Sequence, residues 1–185
     1  MKSVFLSFCA VLLFLAGCNT QKKDASSNIR KSPFSVSIVP ETSRGEPFGR
    51  TIEMAQEGPR DFYVVLTNVS GDTQAVWESW NSWGYQTVSL ELMTGDGKKF
   101  VVSRRQEDFT RNFSSTFLIE PGEHQVYAIR LDNRWETHPS LLKAGETAIT
   151  LKAIYEVRPT PEAAQSKVWT GRSESRDYKV QLRQW

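Results

Sequence analysis

The chain has 185 residues, with 23 lysines and arginines against 21 aspartates and glutamates, a formal net charge of +2. Both signs are scattered along it, so the basic footprint that nucleic-acid binding requires is missing. The roughly 150 residues from Pro33 onward form one domain by length and can bury about 68 to 70% of their unfolded surface.

In chain order, the first element is a leader. Met1-Lys2-Ser3 is a short basic segment, and Val4 to Leu15 is an apolar run interrupted only by Ser7, the pattern of a secretory signal. The run falls short of the about 20 apolar residues that span a bilayer as a helix. Its end, Leu15-Ala16-Gly17-Cys18, resembles the bacterial lipobox. That resemblance implies cleavage before Cys18, which becomes a diacylated, usually N-acylated, terminus carrying fatty-acyl chains such as palmitate. Two or three acyl chains, at about 0.8 kcal/mol per buried methylene, hold a protein stably on a membrane without crossing it. Asn19 stands where an aspartate would retain the lipoprotein at the inner membrane of enteric bacteria, so in a Gram-negative cell the outer membrane is the expected address.

The expected organisation is therefore a signal peptide over 1–17, the lipidated Cys18 and a tether over 18–32, and a single domain over 33–185. Residues 19–32, NTQKKDASSNIRKS, are too polar to bury themselves. Cys9 leaves with the signal and Cys18 takes lipid, so no thiol remains for a disulfide, a thiolate metal site or a nucleophile.

Alternation dominates the domain. Phe34, Val36 and Ile38 share one face. Phe62, Val64 and Leu66 alternate with Tyr63, Val65 and Thr67 in a strand apolar on both faces, hence central. TIEMAQE, from Thr51 to Glu57, and PEAAQS, from Pro161 to Ser166, each read as a turn or so of helix. Leu90 and Leu92 run into the turn Thr94-Gly95-Asp96-Gly97-Lys98, and Phe100 and Val102 return from it, a hairpin. Phe117 to Ile119 precede Glu120-Pro121-Gly122-Glu123, and Tyr127, Ile129 and Leu131 follow, a further strand pair or corner. Ile149, Leu151, Ala153, Tyr155 and Val157 make the longest alternating face, and Tyr178, Val180 and Leu182 close the chain. The pattern predicts an all-β, antiparallel β-sandwich of about seven to nine strands.

Four segments, FYVVLTNVS at 62–70, SWGY at 82–85 leading into LELMTGDGKKF, LIEPGE at 118–123, and WTGRSES at 169–175 before YKVQL, resemble the immunoglobulin-like domains of bacterial secreted and lipid-anchored proteins. The resemblance implies architecture, with the last of these segments pairing back on Tyr155-Glu156-Val157. Function does not follow from it.

Signals for chemistry are sparse. His124 and His138 are far apart and belong to no metal-binding or nucleophile motif, so no metal, no cofactor and no enzymatic activity are expected. Glu107-Asp108 lies among Arg104, Arg105 and Arg111 and reads as a mixed-charge loop. What stands out is VWESWNSWGYQ at 76–86, with three of the six tryptophans, Trp77, Trp80 and Trp83, followed by Tyr85. On one regular strand, Trp77 and Trp80 differ by an odd number and face opposite sides, one to the core and one outward. Trp83, beside Gly84, reads as a cap on the end of the sandwich.

The functional expectation is a lipid-anchored, non-catalytic protein of the bacterial cell envelope, attached to the membrane by its lipid, whose sandwich mediates protein or surface interactions. Two alternatives stand beside it. One is a carbohydrate-binding module using Trp77, Trp80, Trp83 and Tyr85 as stacking platforms for an envelope glycan. The other is a sandwich-type protease inhibitor presenting the loop from Arg104 to Asn112. Changing Cys18→Ala is expected to abolish palmitate incorporation and to move the protein from the detergent phase to the aqueous phase on partitioning. Continued labelling of that variant would contradict lipidation at this residue.

Overall fold

The computed structural model describes residues 32–40, 51–54, 62–136 and 145–184; side chains are not described at 51–54, 145–146 and 183–184. The signal, lipobox and most of the tether lie outside those residues, as do His138 and residues 55–57 of TIEMAQE.

The domain is an all-β sandwich. Strand β1 (Phe34–Pro40), β3 (Phe62–Asn68) and β8 (His124–Ile129) form an antiparallel three-stranded sheet in the order β1-β3-β8. The central position expected of Phe62 to Asn68 is the one observed. Its even-numbered residues face inward beside Val36 and Ile38 of β1 and Tyr127 and Ile129 of β8.

The opposing sheet runs β2-β11-β9-β5-β6, where β2 is Thr51–Met54, β5 Val88–Thr94, β6 Lys99–Ser103, β9 Gly145–Val157 and β11 Tyr178–Gln184. β5 and β6 form the expected hairpin, with Gly97 at φ +82° in the turn, a conformation glycine adopts without steric cost. Inward-facing Val88, Leu90, Leu92, Ile149, Leu151, Tyr155 and Val180 meet the first sheet across rings such as Phe34 on Tyr155, centroids 5.9 Å apart. Each fully buried aliphatic or phenyl side chain contributes about 1.5 to 3 kcal/mol. A short ribbon, β4 (Gln74–Trp77) paired with β7 (Thr116–Ile119), adds Val76, Trp77 and Ile119 to the core.

β9, 13 residues long, organises the second sheet. β5 pairs along one edge, and the other edge takes two strands in succession, β11 beside 145–151 and β10 (Gly171–Glu174) beside 154–157. The register shifts by one residue between them, a bulge. Ser175 fills the break: its backbone N–H donates to Ala153 O at 2.8 Å, while its hydroxyl accepts from Ala153 N at 2.9 Å. The pairing of Gly171 to Ser173 with Tyr155 to Val157 is the one expected. Helix α2 (Pro161–Gln165) joins β9 to β10, capped by the Thr160 hydroxyl accepting from Ala163 N.

Two expectations change. Thr51–Met54, read as part of a helical turn, is a strand, and it pairs in parallel with β11; β-branched Thr51 and Ile52 suit a sheet edge, and pairing with a strand over a hundred residues away overrides a short helical pattern. The strands number eleven among the described residues, above the seven to nine expected, because Thr51–Met54 and Gln74–Trp77 are strands as well. Of the two readings of the Pro121-Gly122 turn, the corner is the one observed, since β7 pairs with β4 and β8 with β3.

Asn68, wholly buried, closes that corner. Its side chain donates to Asp72 O and Ile119 O, both at 2.8 Å, and accepts from Ser70 N and the Ser70 hydroxyl. The hydroxyls of Tyr127 and Tyr155, by contrast, are buried with no hydrogen-bond partner in good geometry among the described residues, and burial raises both phenol pKa values. Asn68→Ala is therefore expected to cost about 2 to 4 kcal/mol in urea denaturation, and Tyr127→Phe to be neutral or stabilising by about 1 kcal/mol. A tolerated Asn68→Ala, or a Tyr127→Phe costing more than about 1 kcal/mol, would contradict this assignment of polar satisfaction.

Candidate functional site

The segment VWESWNSWGYQ is not one strand. β4 ends at Trp77, a turn carries Glu78 to Trp80, and α1 (Ser82–Tyr85) follows, so the parity rule does not govern Trp80. Trp77 is core at 2% exposure, whereas Trp80 stands 45% exposed.

Asn81 builds this geometry. Its side-chain oxygen accepts from Gly84 N at 2.9 Å, capping α1, and its side-chain nitrogen donates to Ser115 O at 3.1 Å. Gly84 is required by proximity: a Cβ there would lie 2.1 Å from Glu78 O and 3.0 Å from the Trp77 Cβ. The short helix thus lies hard against the end of β4. Tyr85 leaves it on one side and Trp83 on the other, where Trp83 packs on Trp77 with centroids 6.0 Å apart. Trp83 is a half-buried helix residue beside the second sheet.

The connection from β6 to β7, residues 104–115, meets α1. Its start continues the β6 edge: Arg105 N donates to Arg134 O at 2.8 Å, Glu136 N donates to Ser103 O at 2.8 Å, and the Arg105 side chain reaches Trp135 O. Its end is clamped by a reciprocal pair, the Asn112 side chain accepting from Ser82 N at 3.1 Å and donating to the Ser82 hydroxyl at 2.8 Å. Glu78 N also donates to Ser115 O at 3.1 Å.

Two aromatic pairs result. Trp80 meets Phe113 edge-to-face at 5.0 Å, and Tyr85 meets Phe109 edge-to-face at 5.5 Å. Beneath them the Arg104 guanidinium lies over the Tyr85 ring at 4.8 Å and the Trp135 ring at 5.6 Å. Each such cation–π contact is worth about 0.5 to 2 kcal/mol, more as it is desolvated. Trp80, Tyr85, Arg104, Glu107, Asp108 and Phe109 line one open concavity of about 470 Å³.

Its electrostatics are mixed. Burial lowers the Arg104 pKa, opposed by Tyr85, Asp132 and Glu107, and the guanidinium stays charged at any physiological pH. Burial first, then the neighbouring Glu107 carboxylate, raises the Tyr85 phenol against the pull of Arg104 and Arg134. Tyr85 is therefore a neutral hydroxyl near pH 7, able both to donate and to accept.

The four candidate rings do not form one platform. Trp80 and Tyr85 share the concavity, Trp83 lies on the opposite side of α1, and Trp77 is buried beneath. The loop from Arg104 to Asn112, singled out separately in the sequence, supplies the far wall. Phe109, Phe113 and Trp135 were not anticipated. Two phenylalanines four residues apart in the otherwise polar stretch RRQEDFTRNFSS were the available signal. His124 is an exposed residue of β8 whose ring lies 3.4 Å from the Thr67 hydroxyl. Among the described residues no group of three or more His, Cys, Asp or Glu is placed to hold a metal. No protein-family model matches the chain, and no match was found among curated proteins.

Proposed function

We propose that this is a lipid-anchored, non-catalytic protein of the bacterial cell envelope that binds a protein partner through the Trp80–Arg104–Phe113 surface. The observation that carries the reading is the convergence of an exposed Trp, a Tyr and an Arg in one concavity walled by Glu107 and Asp108. Trp, Tyr and Arg are the residue types that dominate binding energy at protein interfaces. Trp80 and Phe113, 45% and 59% exposed and in contact, form an apolar centre, and the charges of Glu107, Asp108 and Arg111 form a polar rim around it.

Rigidity supports the same reading. Both ends of the loop are hydrogen-bonded to folded elements, and Arg104 is held between two rings. A surface already in its binding shape loses less entropy on association. The lipid at Cys18, read from the lipobox, would hold this surface near the membrane, and the tether would let it reach partners in the envelope.

A photo-crosslinking amino acid at Phe113, in the full lipidated chain in intact cells, is expected to yield a discrete adduct. Its yield should fall at least about tenfold with Trp80→Ala, the loss of a central hot spot. The same crosslinker at Val126, an exposed residue of β8, is the control. Equal labelling at both positions, or an adduct indifferent to Trp80→Ala, would overturn the proposal.

A further inference from the structure

A second concavity lies on the other side of α1, over the outer face of the large sheet. About 560 Å³ in volume, it is lined by Trp83 and Gln86 beside α1, Ser89 of β5, Ser103 of β6, Ile154 and Glu156 of β9 and Arg172 of β10, with Arg158 beyond β9. This size falls within the range of small-ligand sites. Crossing from β6 to β10 at about 4.8 Å per strand, the trough is roughly 14 Å long, the length of a short oligosaccharide.

We infer that this trough is a saccharide-binding site. It does not depend on the partner surface proposed above. The cross-strand row Ser103, Ser89, Ile154 places two small hydroxyl side chains and one apolar side chain side by side on the floor. Ile154 is 1% exposed yet stands apart from the cluster that forms the sandwich core. Elsewhere the same face is charged, with Lys99 on Glu91 and Lys152 between Glu174 and Asp177. An uncharged floor beside an indole is a local departure from that pattern.

The chemistry fits a sugar ring. A pyranose has an apolar C–H face and a rim of hydroxyls. Trp83 provides an aromatic wall for the face, and serine hydroxyls, an amide and a carboxylate provide donors and acceptors for the rim. The Arg172 guanidinium, held by Glu156 at 3.1 Å and Glu174 at 2.7 Å, is fixed in position at one end. Among the described residues the Ser89 hydroxyl and the Arg158 guanidinium have no hydrogen-bonding or ionic partner, so both side chains are free to meet a ligand. Arg158 leaves the lining net positive, which fits a neutral or acidic saccharide and disfavours a cationic one.

The test uses the full chain and a panel of soluble tetrasaccharides of glucose, N-acetylglucosamine, mannose and galactose, read by saturation-transfer NMR and calorimetry. At least one is expected to bind the native chain. Ser89→Tyr, which places a ring on the trough floor from the solvent face of β5, should weaken it by at least about tenfold. Trp83→Phe should weaken it less, and Trp80→Ala should leave it unchanged. If Ser89→Tyr loses native circular dichroism, Ser103→Tyr on the adjacent strand replaces it. No binding by any tetrasaccharide, native affinity in the filled-trough variant, or a loss that follows Trp80→Ala instead would each overturn the site. The last outcome would place sugar binding on the aromatic concavity.

Discussion

One buried side chain, Asn81, joins the short helix to the β6–β7 connection at this end of the sandwich. It has no exposed surface, and its amide is satisfied on both sides, by Gly84 N and by Ser115 O. An amide buried without those partners would cost about 1 to 3 kcal/mol, so the bonds are what allow it to be there. Asn81 thereby caps a helix too short to form alone and ties it to the end of the 104–115 connection. Gly84 completes the constraint, because only a residue without a Cβ can lie so close to Glu78 O.

Two surfaces follow from that arrangement. A one-turn helix sends neighbouring side chains in different directions, and here it sends Tyr85 over Arg104 and Trp83 toward the outer face of the large sheet. The tryptophan-rich segment is thus a divider, with Trp77 rooted in the core beneath it. The sandwich supplies the rigidity: β9 is paired along both edges, and the bulge at Ser175 keeps its second edge bonded where β10 gives way to β11. Sites supported by such elements keep their geometry better than sites on free loops.

Much of the fold is legible in the sequence because most strands have one buried face. The alternation at Phe34 to Ile38, Phe62 to Asn68 and Ile149 to Val157 follows directly from that asymmetry, and the Gly97 turn from its backbone conformation. Thr51–Met54 was misread because its partner is β11, more than a hundred residues away, and four residues carry too little pattern to reveal a parallel edge. The site was legible only in pieces. Trp80, Tyr85 and the Arg104 loop each stood out, but their meeting depends on Asn81, whose role as a cap is local while its bond to Ser115 is not. The parity expectation assumed a continuous strand, and the chain leaves the strand at Trp77. Trp135 was hidden for the same reason: nothing near it in sequence announces that Arg104 pairs across to it.

The coupling through Asn81 is most directly tested by hydrogen–deuterium exchange on the full chain carrying Asn81→Ala. Loss of an N-cap bond costs about 0.5 to 2 kcal/mol, enough to open one region without unfolding the sandwich. Amides of residues 82–85 and of residues 112–116 are predicted to exchange faster together, while those of β3 and β9 keep their native protection. Faster exchange confined to 82–85, with the 104–115 connection unchanged, would contradict the claim that one buried amide holds both walls of the site.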